Sequence, residues 1–155
     1  MKLNLGCADV LLKDYINVDV GPPADCIWDL TQYPWPWETS TVTHVIAHDI
    51  IEHLPDRIST MNELWRVMSP GAQAEIIVPS ASKGAGFAQD PTHKSQWCMN
   101  SFQYYQSGSY AVQRLSGLYG ITARFKILDI EEKPYQDVYE EVWKIRVVLE
   151  AVKVV

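Results

Sequence analysis

At 155 residues the chain is long enough for one domain that buries roughly 70% of its unfolded surface in a single core, so it needs no staples. With 47% hydrophobic and 21% charged residues it has a globular balance that excludes a disordered tail, and no apolar run approaches the roughly 20 residues of a membrane span. The 13 basic residues against 19 acidic ones give a net charge of -6 without a lysine or arginine cluster, which argues against a nonspecific nucleic-acid footprint and leaves a small nucleobase or nucleotide open.

Cys7, Cys26 and Cys98 are an odd number at wide spacing with no CxxC pair, so neither a disulfide framework nor structural zinc is expected. The N-terminus has one lysine and then a strand pattern, which is not a signal-peptide layout; a cytoplasmic protein is expected.

In chain order, Leu3 and Leu5 form an apolar strand that runs into Gly6, a tight turn at a strand's C-terminal end where backbone amides can face a ligand. Tyr15 to Val18 is a second strand, and it delivers Asp19 to the same edge, where an acid can accept both hydroxyls of a ribose. A third short strand, Asp25 to Trp28, closes on Asp29. Pro34 and Pro36 exclude a regular element in "TQYPWPWETS", leaving a stiff aromatic loop. Val42 to Ala47 is a fourth strand, followed by the polar cluster His48, Asp49, Glu52 and His53. Asp56 caps a helix carrying Ile58, Met61, Leu64, Trp65 and Met68, which Pro70 and Gly71 are expected to stop. Ala74 to Val78 is the fifth strand.

From Ser80 to Met99 the periodicity lapses, and a loop that long inside one domain is expected to be a lid or substrate loop at about 80–100. Asn100 or Ser101 caps a helical stretch through Tyr105, and Ala111 to Leu118 adds another before Gly120. Alternation then gives a strand at Ala123 to Ile127, a connection at "EEKPYQDVYEE", and a long strand from Trp143 to Ala151 that frays where Lys153 falls on the apolar face. The pattern is α/β, a mostly parallel sheet with a terminal hairpin, in a single domain over 1–155.

The strings "LNLGCADVLLKDYINVDV", "WDLTQYPWPW", "AHDIIEHLPD", "ELWRVMSPGA", "VPS" and "QDPTH", in that order and spacing, resemble class I S-adenosylmethionine-dependent methyltransferases. The resemblance implies a Rossmann-like methyltransferase sandwich with a mostly parallel seven-stranded sheet and a C-terminal antiparallel hairpin. It implies S-adenosyl-L-methionine as cofactor. Leu5, Gly6, Cys7 and Ala8 would pass beneath its methionine part, and Asp19 with Val20 would hold the ribose. Asp29 and Leu30 would flank the adenine, and Ala47, His48 and Asp49 would face the methionine end and the reactive methyl. Two departures stand out: Ala8 occupies a position where the pattern most often has glycine, and Asp49 puts a charge where relatives commonly have an apolar residue or histidine. The first strand also begins too early for the N-terminal helix many relatives use as cover, so the 80–100 lid, a second copy or a partner subunit is expected to close the site.

The expected reaction is methyl transfer to an oxygen or nitrogen of a small molecule, in a cleft walled by Trp35, Trp37, Phe87, Trp97 and Tyr104. His93 is the first candidate base, with Asp90 placed to orient it or simply to bond nearby backbone amides; His48 and His53 follow. Glu52 is read as structural. Nothing in the spacing of His48, His53, His93 and Asp49 demands a metal, and none is expected. Two alternatives are a noncatalytic S-adenosylmethionine-binding or regulatory subunit and a nicotinamide-dependent enzyme; against the second, the chain after Gly6 lacks GxGxxG spacing.

Overall fold

The computed structural model describes residues 1–138 and 141–154. Seven strands make one sheet: β1 (Lys2–Leu5), β2 (Ile16–Asp19), β3 (Cys26–Ile27), β4 (Val42–His48), β5 (Met68–Pro79), β6 (Phe125–Gln136) and β7 (Glu141–Ala151). Their order is β3-β2-β1-β4-β5-β7-β6. The first five run parallel, and β7 inserts antiparallel between β5 and β6. The Rossmann-like mixed sheet with a terminal hairpin, expected from the sequence, is therefore present.

The alternation along the strands sends Leu3, Leu5, Val18, Val45, Ala47, Ile76, Val147 and Leu149 to one face, where they form a continuous core. Helix α1 (Arg57–Val67) covers it with Met61, Leu64 and Val67; a 3-10 helix at Met99–Tyr104 and helix α2 (Tyr110–Tyr119) complete the layer. Asn62 ties α1 to the end of α2, donating to the Gly120 carbonyl and accepting from the amides of Thr122 and Ala123. Among the described residues the crossovers β1 to β2, β2 to β3 and β3 to β4 carry no helix. The second face, with His44, His48, Gln73, Glu75, Arg146 and Glu150, is consequently polar and partly or fully exposed.

Several boundaries differ from the sequence pattern for identifiable reasons. Helix α1 begins as expected, with Asp56 accepting from the Ser59 amide, but it ends at Val67. Pro70 and Gly71 lie in a bulge of β5 instead, because Met68 pairs with Val42 while Gln73 already pairs with His44. Cys98, not Asn100 or Ser101, precedes the 3-10 helix, and its amide donates to the Ser101 hydroxyl. The stretch read as a connection before β7 is mostly strand. Residues Glu131 to Gln136 extend β6 along β7, with Pro134 tolerated because β6 is an edge strand. Solvated on both sides there, it carries no apolar alternation. Tyr139 and Glu140, the last part of that expected connection, lie outside the described residues. The final strand does end at Ala151, and Lys153 turns back to the Ser40 hydroxyl and the Arg66 carbonyl.

The aromatic loop is pinned to α1. Glu63 accepts from the Trp35 amide at 2.6 Å while Arg66 holds Glu63 and the Trp35 carbonyl, and the Trp35 indole donates to the Leu30 carbonyl. Trp35 and Trp37 are therefore core residues, as is Trp97, stacked on Phe102 at 5.2 Å. The expectation that these three tryptophans wall a substrate cleft is corrected for Trp35 and Trp37, which are buried in the core. Trp97, packed on Phe102 and Tyr105 with Arg57 over its ring, is also buried and borders a separate groove beside Arg57 and Ser101. Tyr104 lines a separate groove with Tyr105 and Tyr119, and only Phe87 of the expected wall reaches the acid and histidine cluster, packing on His93 at 5.6 Å.

Candidate functional site

Strands β1, β2, β3 and β4 pair nearly flush, Leu5 with Val18 and Ala47, and Asp19 with Ile27. The residues that follow them therefore emerge along one edge. Gly6 turns there with φ of +65°, and a Cβ on it would lie 2.5 Å from the Ile50 side chain. Only glycine satisfies both demands. Two cavities meet at Gly6. One, of about 410 Å³, is bordered by Cys7, Ala8, Ile46, His48 and Asp49; the other, of about 340 Å³, by Asp19, Val20, Trp28, Asp29 and Leu30.

Asp19 joins the first two strand ends. One carboxylate oxygen accepts from the Ala8 amide at 2.8 Å and the other from the Val20 amide at 2.7 Å, so each keeps a lone pair for a hydroxyl donor. Asp29 is held differently. Its Oδ1 accepts from the Thr31 amide and hydroxyl, and these bonds hold its carboxyl below the usual range. Trp28 contributes an indole N–H that is buried without a partner, beside the same cavity. Leu5 and Ala47 are buried on the core face and support the edge without bordering either cavity.

On the other side, burial and the nearby Asp19 charge push the Cys7 thiol up, so it stays neutral. Ala8 has a φ of +44°, the left-handed conformation that accounts for glycine being the commoner residue in the pattern. His48 borders the cavity, with Nε2 committed to Glu75 at 2.7 Å; Arg146 takes the other Glu75 oxygen. The unusual charge of Asp49 is matched, since Lys144 donates to both of its oxygens at 2.9 and 2.8 Å.

A third, smaller cleft of about 220 Å³ adjoins this end, bordered by Asp49, Glu52, His53, Gln89, His93 and Lys144. The expected turn is present, with the His93 amide donating to the Asp90 carbonyl at 3.3 Å. The Asp90 side chain bonds Thr92, through its amide at 2.8 Å and its hydroxyl at 2.6 Å, and its free oxygen stands 3.7 Å from His93 Nε2. Hydrogen bonds from Thr92 lower the Asp90 carboxyl pKa. His93 is oriented instead by the Phe87 carbonyl, 2.7 Å from Nδ1. Glu52 is 1% exposed, neither of its oxygens has a hydrogen-bond partner, and burial pushes its pKa to about 8.

Trp28, Ile50, Glu52 and Lys144 carry parts of the site that the sequence reading did not assign. Only Glu52 had a local signal, its place in "DIIEH"; Lys144 lies 95 residues from the aspartate it binds.

The sheet order with the antiparallel β7 inserted between β5 and β6 is the fold of class I S-adenosylmethionine-dependent methyltransferases. No protein-family model and no curated protein matches the sequence. Among solved structures, the chain is similar to a methyltransferase of Methanosarcina mazei described as S-adenosylmethionine-dependent. The identity is 14% and the TM-score 0.61, with 97% of this chain and 92% of that one covered. It is similar to the N-methyltransferase NodS of Bradyrhizobium japonicum, solved with S-adenosyl-L-homocysteine, at 11% identity and TM-score 0.61, covering 98% and 78%. It is also similar to a chain of the complex between the Haloferax volcanii Trm112 methyltransferase activator and a methyltransferase, at 13% identity and TM-score 0.60, covering 98% and 82%. No helix among the described residues is long and apolar enough to cross a membrane.

Proposed function

We propose that this protein transfers a methyl group from S-adenosylmethionine to an oxygen or nitrogen of a small-molecule acceptor. The observation that carries the reading is Asp19, fixed by the Ala8 and Val20 amides on the border of one of the two cavities that meet at Gly6. On this reading Asp19 accepts from the ribose hydroxyls, while Asp29, Leu30 and Trp28 hold the base. Gly6, Cys7, Ala8 and Asp49 line the path of the methionine part. A donor bound there would supply a sulfonium methyl to the acceptor's lone pair, the carbon–sulfur bond electrons returning to sulfur. Little covalent help is needed from the protein, whose work is alignment and removal of the acceptor's proton. His93 Nε2, in the cleft beside Asp49, is the group placed for that proton, and Lys144 and Gln89 are polar contacts for the acceptor.

Calorimetry with S-adenosylhomocysteine and with NAD tests the donor assignment: binding of the first only is expected, and no binding of the first overturns it. A second reading, a noncatalytic S-adenosylmethionine-binding subunit, is favoured by the helix-free polar face of the sheet, and the Haloferax chain's association with an activator offers a precedent for partnering. Binding without methyl transfer to any of a panel of phenols, amines and carboxylates, alone or with cell extract, would select it.

A further inference from the structure

Glu52 poses a problem that its own surroundings do not solve. A carboxyl group removed from water without a hydrogen-bond partner costs on the order of several kcal/mol, and buried polar groups left so in native proteins point to an absent water or ion. Glu52 is almost wholly shielded from solvent, and neither of its carboxyl oxygens has a hydrogen-bond partner.

The two imidazoles beside it are locked in matching tautomers. His93 Nδ1 faces the Phe87 carbonyl, which can only accept, so Nδ1 carries the proton. His53 Nδ1 lies 3.1 Å from the Thr92 hydroxyl. That hydroxyl has one proton and commits it to Asp90 Oδ1 at 2.6 Å, so it accepts from His53 and Nδ1 again carries the proton. Both neutral rings are left with their lone pair on Nε2. The rings stand 4.8 Å apart at 76°, and His93 Nε2 is 3.9 Å from Glu52 Oε1, too far for a hydrogen bond. One ligand atom from each of Glu52, His53 and His93 lies within 4.8 Å of the others. The His93 lone pair and a Glu52 oxygen thus face each other without a hydrogen bond, and His53 offers a third ligand atom in the same cluster.

We propose that Glu52, His53 and His93 form a binding site for a divalent transition-type cation, with zinc as the type ion, open on one side to the cleft bordered by Asp49, Gln89 and Lys144. Two imidazoles and one carboxylate are a ligand set that suits zinc and its first-row neighbours, and an open position is the mark of a catalytic site. Magnesium and calcium demand more oxygen ligands than are present. Bonds of about 2.0–2.1 Å in tetrahedral geometry put ligand atoms roughly 3.3 Å apart, so the His93–Glu52 pair has only about half an ångström to close. The Phe87 carbonyl and the Asp90–Thr92 pair supply the outer hydrogen bonds that fix the ring orientation of such ligands. Lys144, which borders this cleft, is neutralised by its two bonds to Asp49.

The consequence for catalysis, though not the binding itself, rests on the methyl-transfer reading. The cation's open position adjoins Asp49 at the methionine side, where it can hold and polarise an acceptor hydroxyl or amine. In the loaded protein the His93 lone pair is a ligand, and in the metal-free protein it is free for a proton.

The full chain, stripped with a chelator, is titrated with Co²⁺ and Zn²⁺, following cobalt absorption in the visible and heat. One equivalent is expected, with a cobalt spectrum of four-coordinate intensity that zinc displaces. Glu52→Gln, His53→Asn and His93→Asn should each weaken binding at least about tenfold, whereas His44→Asn, on the open sheet face, should change nothing. Glu52→Gln keeps the side-chain volume, and His53 is only half-buried, so circular dichroism of these two guards against mere unfolding. Binding equal in parent and in both of these folded variants, or no cobalt spectrum in the parent, overturns the site. S-adenosylhomocysteine binding measured on the same samples separates the two readings: its loss with the cobalt spectrum intact overturns the donor assignment and leaves the cation site standing.

Discussion

Two acidic regions flank the Gly6 turn, and they are built on opposite terms. On the side proposed to hold the nucleoside, Asp19 and Asp29 are partly or fully exposed, and each is held by neighbouring backbone amides. On the side proposed for the acceptor Glu52 is buried, and its carboxyl oxygens have no hydrogen-bond partner. The first region is a finished surface with lone pairs to spare, suited to neutral hydroxyl and amine donors. The second is incomplete until something positive, a proton or a cation, enters it. A carboxylate's surroundings, more than its presence at the edge, thus separate a recognition role from a chemical one.

The sharpest way to test that division is to change one side and read the other. His93→Asn removes the acceptor-side lone pair, whether it takes a proton or holds a cation; turnover should fall about 100-fold with S-adenosylhomocysteine affinity unchanged. Equal loss of affinity would erase the division. Asp19→Ala should do the reverse, weakening S-adenosylhomocysteine by about 30- to 100-fold in calorimetry through the loss of charge-assisted hydrogen bonds. An affinity within about twofold of the parent would remove Asp19 from the ribose.

Asp29→Ala should cost less, about fivefold in affinity, because half of that carboxylate already serves Thr31. Ala8→Gly relieves a non-glycine residue at φ of +44° and should raise stability by about 1 kcal/mol in urea unfolding, with donor affinity kept. A loss of stability would show that the left-handed turn is not strained.

The smallest effect belongs to Glu75, a half-buried contrast to Glu52. Burial raises its pKa, but hydrogen bonds from His48 and Arg146 outweigh burial and leave it lowered. A depressed carboxyl contributes stability above its unfolded pKa, about 4.3, and that contribution is lost as pH falls through the folded value. Glu75→Gln should therefore flatten the acid limb of stability against pH by less than about 1 kcal/mol, leaving neutral-pH turnover nearly unchanged. An acid limb identical to the parent's would show that the His48–Glu75–Arg146 chain adds nothing to folding.

Much of this arrangement was legible residue by residue. The strand ends at Gly6, Asp19, Asp29 and Ala47 follow from apolar runs closed by turn or acidic residues, and the flush register of a parallel sheet brings them together. The helix cap at Asp56 and the end of β7 were equally local. The length of β6 was not, because an edge strand solvated on both faces has no hydrophobic period to read. Nor was the fate of Trp35 and Trp97, since a tryptophan in a loop looks the same in sequence whether it walls a cleft or plugs a core.

The sequence by itself determined the order of elements, the edge that carries the acids and the likeness to class I methyltransferases, because these rest on local periodicity and short motifs. Only the tertiary structure decided which polar groups are satisfied. Glu52 is an orphan because β4, the 3-10 turn at Ile51–His53 and the 80–98 loop close around it, and Asp49 is paired because β7 brings Lys144 across the edge. Burial and pairing are sums over distant segments, and no window along the chain contains them.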